Sequence, residues 1–224
     1  MGISEKINEI KLGLPAGVKL VAVSKTKPNE DIMEAYKAGQ RFFGENKVQD
    51  MVQKYETLPK DIEWHFIGHL QTNKVKYIAP FVSLIHAVDS LKLLTVIEKE
   101  AKKAGRLIQC LLQLHIAEEE TKFGLNVDEA IELLKSEEYK SMTNIKIVGV
   151  MGMATFTDDY TQVRREFRGL STIFYKLKTG FFSTDLDFCE VSMGMSDDYQ
   201  IAVEEGSTMV RIGSTIFGAR NYSH

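Results

Sequence analysis

Eight short apolar runs alternate with stretches of helical periodicity along almost the whole chain, and this alternation limits the possible folds more than any other feature. The runs lie at 20–24, 41–44, 64–67, 84–87, 107–115, 145–151, 188–192 and 209–212, after a leading helical segment at 3–12. Helical spacing of apolar residues recurs between them at 30–38, 48–55, 72–78, 91–104, 127–134, 160–177 and 197–204. An unbroken apolar run suits a strand covered on both faces, and a helix between two such strands implies a right-handed parallel crossover. Eight strands in 224 residues predict an α/β fold, a single TIM-type (β/α)8 barrel. The competing architecture is an open doubly wound sheet. It normally has fewer strands and, for a nucleotide, a glycine-rich first turn, whereas the first turn here is Ser24-Lys25-Thr26-Lys27-Pro28. No linker, repeat or low-complexity segment interrupts the pattern, so one domain over 1–224 is expected.

Charge and cysteine usage narrow the partners. With 28 basic and 31 acidic residues the net charge is -3, and no basic stripe marks a nucleic-acid footprint. No stretch approaches the roughly 18 apolar residues that span a bilayer, and the N-terminus lacks an apolar signal core, so a cytoplasmic protein without a membrane partner is expected. Cys110 and Cys189 lie far apart in strand-like runs without metal-type spacing, and both are expected to be buried structural thiols. A monomer is expected.

Candidate chemistry sits at the ends of the predicted strands. Lys25 closes the first run, just before a turn ended by Pro28. An amine at such a rim is open to desolvation, which lowers its pKa and makes it a nucleophile towards aldehydes, the chemistry of Schiff bases; a solvated strand-end lysine is the simpler alternative. In a barrel of this type phosphate is commonly held after strands seven and eight. The seventh run leads into Ser192-Met193-Gly194-Met195-Ser196-Asp197-Asp198, where small residues admit a ligand and a helix begins. The eighth leads into Arg211-Ile212-Gly213-Ser214-Thr215, with a glycine, two hydroxyls and a fixed positive charge. Each loop alone is also what an ordinary turn or helix cap would use. Beside a strand-one lysine, the two loops together point to a phosphorylated aldehyde.

Four segments resemble the pyridoxal phosphate homeostasis proteins. They are Val21-Ala22-Val23-Ser24-Lys25-Thr26-Lys27-Pro28, Phe43-Gly44-Glu45-Asn46-Lys47-Val48-Gln49-Asp50, Trp64-His65-Phe66-Ile67-Gly68-His69-Leu70-Gln71-Thr72-Asn73-Lys74 and the loop 192–198. The ending at 206–220 is similar to that family's final signature. The resemblance implies a barrel like the alanine racemase N-terminal domain that binds pyridoxal 5′-phosphate (PLP) as a Schiff base. It implies a role in intracellular PLP homeostasis and supply, with PLP-dependent apo-enzymes as recipients and no established catalytic turnover. Carried over by position, Lys25 matches the Schiff-base lysine and Arg211 the arginine facing the pyridine nitrogen. Ser192 and the backbone around Met195, Gly213 and Ser214 match the phosphate grip, and Asn46 matches a polar neighbour of the ring. Two positions depart from the common pattern: Ser214 stands where threonine is frequent, and His115 where asparagine is frequent. The methionines of Met151-Gly152-Met153-Ala154-Thr155 are expected to be core packing.

Arginine has only donors and stays charged, so opposite the ring nitrogen it would hold that nitrogen unprotonated and weaken the cofactor as an electron sink. That argues against transamination and decarboxylation and leaves an amino-acid racemase as the enzymatic alternative. A racemase needs a second base, which alanine racemase takes from an additional domain that is not expected in a chain ending at His224. A third class, an aldolase-like barrel, expects a reactive lysine on a later strand. His65 and His69 are candidates for a proton-transfer pair or metal ligands, though no third ligand is in view. Trp64, His86 and Asp89 are candidates for lining the pocket, with rim packing and capping as the alternatives. Lys27 is expected to face solvent or phosphate-bearing partners rather than to form the Schiff base.

Overall fold

The computed structural model describes residues 1–118 and 123–218. Part of the segment after strand five, 119–122, and the last two residues of the closing signature, Ala219 and Arg220, lie outside the described residues. The strands are β1 (Lys19–Val23), β2 (Phe42–Glu45), β3 (Glu63–Phe66), β4 (Leu84–Val88), β5 (Ile108–Gln113), β6 (Ile145–Met151), β7 (Glu190–Ser192) and β8 (Met209–Ile212). Each pairs in parallel with its sequence neighbour, and β8 returns to β1, closing the barrel. The helices are α1 (Ile3–Gly13), α2 (Asn29–Lys37), α3 (Val48–Thr57), α4 (Val75–Ile78), α5 (Leu91–Lys103), α6 (Val127–Lys135), α7 (Glu137–Lys140), α8 (Tyr160–Phe181), α9 (Tyr199–Glu204) and α10 (Ser214–Phe217).

Strand periodicity divides the apolar residues between two cores. Outward positions such as Leu20, Ala22, Phe43, Ile85, Cys110 and Val150 pack under the helices. Val21, Leu84, Leu111, Val148, Met151 and Met209 fill the barrel interior, with Phe42 and Met153 against them. The methionines of 151–155 are therefore core packing, as expected. Paired residues in register share a face, so Gly44, His65 and Leu84 point inward together, as do Met151, Ser192 and Met209 and Val21 with Arg211. Polar side chains thereby enter a closed interior.

The structure departs from the expected elements at short or strained places. The helix expected from 197 begins at Tyr199, because 195–198 form a turn in which Asp198 N–H donates to the Met195 carbonyl at 3.2 Å. Two one-turn helices, α7 and α10, lie where no periodicity can build up over four residues. Cys110 is buried, but Cys189 is exposed on the loop before β7, which starts at Glu190 rather than 188. The expectation of a second buried thiol is corrected: the apolar run counts Cys189 inside a strand that has not yet begun.

Candidate functional site

A parallel barrel brings all eight carboxyl ends to one face. Lys25 is the second residue beyond β1, half-buried, inside a turn closed by Lys27 N–H donating to the Ser24 carbonyl at 3.0 Å. Thr26 has φ 65°, the single positive φ outside glycine among the described residues. For a β-branched residue that conformation costs about 1–2 kcal/mol and needs outside support. The support is visible. The Ser24 hydroxyl donates to Glu45 Oε1 at 2.7 Å, and Lys54 Nζ of α3 donates to the Ser24 carbonyl at 2.8 Å and to Glu45 Oε1 at 2.6 Å. Lys27 Nζ reaches the Phe217 carbonyl at 2.9 Å. Burial pushes the Glu45 carboxyl up, against the pull of Lys54.

Arg211 lies on the barrel floor beneath this rim. Its Nη1 donates to Ser192 Oγ at 2.7 Å and its Nη2 to the Gly152 carbonyl at 3.2 Å. Burial lowers the guanidinium to about 10, with Asp198 opposing, so it remains charged at neutral pH. Below it, His86 Nδ1 is 3.0 Å from Ser192 Oγ and His86 Nε2 is 2.9 Å from His65 Nδ1. Both rings are buried and neutral. Desolvation, aided by Lys19, pulls His65 down to about 3; desolvation, then His65 and Arg211, holds His86 well below its ordinary value.

The loops after β7 and β8 meet above the floor. Gly194, at φ +94°, accepts the Arg211 N–H at 3.0 Å, and a Cβ there would lie 2.6 Å from the Ala202 Cβ. Glycine is therefore required. The Met195 N–H donates to Asp198 Oδ1 at 2.6 Å, and Gly213 N–H donates to Ser196 Oγ at 3.3 Å. Gly213 also caps α10 by accepting from Ile216 and Phe217 N–H, which leaves Ser214 exposed at the first position of that turn. Across the mouth, half-buried Asn46 follows β2, and Gly68 packs against it so closely that a Cβ would sit 2.4 Å from the Asn46 carbonyl.

Lys25, Asn46, Met195, Gly213 and Ser214 thus share the mouth, and Arg211 and Ser192 form its floor. Ser192 is fully buried and its hydroxyl is engaged by Arg211 and His86. His65 and His69 do not form a pair: His65 faces inward, while His69 sits at the rim, 3.3 Å from Asp89 and stacked on Phe123. Among the described residues no group of three His, Cys, Asp or Glu is arranged to hold a metal. Trp64 is corrected as a pocket candidate, since it packs outward against Phe43 beneath the helices. His115 contributes its backbone N–H to the Leu125 carbonyl. The links among His86, Ser192 and Arg211, and between Glu45 and Lys54, escape sequence reasoning. The one local signal is polar residues at inward, period-two positions of apolar strands.

A barrel with this mouth is of the class described by the family model for the alanine racemase N-terminal domain, which matches residues 2–221. The pyridoxal phosphate homeostasis protein of Aquifex aeolicus is 40% identical over 205 residues, covering 91% of this chain and 88% of that protein. The structure of PipY from Synechococcus elongatus, solved with PLP bound, matches with a TM-score of 0.87 at 33% identity, covering 96% of this chain and 100% of that one. The chain belongs to the pyridoxal phosphate homeostasis protein family. Alanine racemase from Bartonella henselae, at 14% identity and a TM-score of 0.74 over 60% of its length, shares the fold.

Proposed function

We propose that this chain binds PLP in the barrel mouth, holds it covalently on Lys25, and serves intracellular PLP homeostasis and supply. One observation carries this function: a lysine at the rim of β1 stands above a buried, charged arginine on the adjacent strand β8. Register pairs Arg211 with Val21, four residues before Lys25, so their backbone levels differ by about 13 Å at most, a gap suited to two long side chains with a ring between them.

The donor set fits PLP. Lys25 supplies an amine for the aldehyde, and their condensation releases one water. Arg211, which only donates, faces the ring nitrogen, and Asn46 flanks the ring. Met195, Gly213 and Ser214 offer backbone and hydroxyl donors to the phosphate. The Met195 N–H already takes a carboxylate oxygen from Asp198, which supports an anionic oxygen at that place. When bound, PLP supplies an electron sink, and a donor-only partner at its nitrogen keeps that sink weak. Transamination and decarboxylation are thereby disfavoured.

The same proposal takes residues 1–224 as one PLP-binding domain that works as a monomer, which a closed barrel without edge strands supports. Two unpaired cysteines support a reducing, cytoplasmic setting. PLP-dependent apo-enzymes are the proposed recipients. Among the described residues no helix is long and apolar enough to cross a membrane.

A spectrophotometric titration tests the function. PLP is expected to give a saturable visible band that pyridoxal gives far less readily and that Lys25→Ala abolishes while the far-UV circular dichroism stays native. Equal binding of the two aldehydes would contradict a phosphate-anchored site.

A further inference from the structure

The floor of the mouth contains a line of four buried polar side chains. Arg211, Ser192, His86 and His65 are each no more than 4% exposed and follow one another at 2.7, 3.0 and 2.9 Å. Hydrogen positions follow from donor arithmetic. A guanidinium only donates, so Ser192 Oγ accepts from Arg211 Nη1. The serine has one hydrogen of its own, and His86 Nδ1 is its remaining partner among the described residues. A buried hydroxyl hydrogen without an acceptor is costly, so Ser192 donates to His86 Nδ1. His86 must then carry its proton on Nε2 and donate it to His65 Nδ1, and His65 in turn carries its proton on Nε2. The direction of the whole chain is fixed by the arginine at its head.

We propose that His86 and His65 are positioning residues for Arg211, forming a neutral, one-directional hydrogen-bond chain that fixes the guanidinium's aim at the cofactor's ring nitrogen without neutralising its charge. A carboxylate in place of His86 would pair with the arginine, and an imidazolium would repel it. A neutral imidazole accepts through the serine and does neither. The charged groups facing the chain are Arg211 above it and Lys19 near His65, with Asp198 acting on Arg211. The last step, from Arg211 to the ring, rests on the proposed function.

Histidine-selective nitrogen NMR of the protein without PLP tests the chain by itself. Long-range proton–nitrogen correlations at pH 7 are expected to show His86 and His65 neutral and protonated on Nε2, and Ser192→Ala is expected to shift the His86 Nδ1 resonance most. A His86 protonated on Nδ1, or charged, overturns the proposal. PLP-loaded variants test its consequence. His86→Leu is expected to weaken PLP retention about tenfold and to shift the absorbance of the bound cofactor, whereas His86→Asn, whose amide oxygen replaces Nδ1, restores both. A folded His86→Leu with wild-type spectrum and retention also overturns it. If wild-type protein fails to take up PLP, the proposed function falls, and the NMR result still decides the chain.

Discussion

Arg211 is the residue on which the proposed site turns, because it is buried and hydrogen-bonded yet keeps its charge. Ser192 and Gly152 take two of its donors. Ser214 lies on the exposed side of the mouth. Removing one hydrogen bond to a charged group typically costs about 1.5–3 kcal/mol, so Ser214→Ala is expected to weaken PLP retention by roughly one to two decades. Equilibrium dialysis against PLP checks this, and unchanged retention would remove Ser214 from the site. The places of Lys25 just beyond β1 and of Arg211 on β8 were legible in the sequence because a strand and its end are local features. The engagement of Ser192 was not, because its partners lie 106 and 19 residues away.

At the scale of elements, the Lys25 turn is held by α3. Lys54 and Glu45 form an ion pair between the barrel and that helix with side-chain exposures of 10% and 0%, and Glu45 Oε2 has no hydrogen-bond partner among the described residues. Removing one member of such a pair leaves a buried charge uncompensated and costs about 3–5 kcal/mol. Lys54→Met is therefore expected to lower stability by about 3 kcal/mol and to loosen the Lys25 turn, with Glu45→Gln added to it recovering more than half. Urea denaturation of the single and double variants checks this; equal stabilities of the two would show that the pair is not coupled. Strands and long helices were readable from periodicity, β6 and β8 to the residue. The ion pair was not, since Glu45 and Lys54 look like any charged residues at a strand end and on an amphipathic helix.

For the whole molecule, the buried histidines tie stability to pH. His65 titrates at about 3 in the fold against an ordinary 6.5, so the unfolded chain takes up a proton that the folded one refuses. Its contribution is complete above pH 6.5 and is lost as pH falls towards 3, amounting to about 2 kcal/mol by pH 5. His86, lowered by the same burial, acts in the same direction. Glu45, whose carboxyl burial raises, acts oppositely, in the range above its ordinary 4.5. Urea midpoints at pH 7.5 and pH 5 are expected to fall steeply for wild type and less for His65→Leu; equal falls would show His65 to be charged or solvated in the fold. The barrel was legible from strand count alone, whereas its polar interior emerges only once the closed register turns Gly44, His65 and Leu84 to one side. In the proposed function the mouth above this interior presents Lys25 to PLP. Borohydride reduction of the PLP-loaded protein, followed by peptide mass spectrometry, tests this. One pyridoxyl phosphate mass is expected on the peptide carrying Lys25; its location mainly on Lys27 or Lys74 would show that Lys25 does not hold the cofactor.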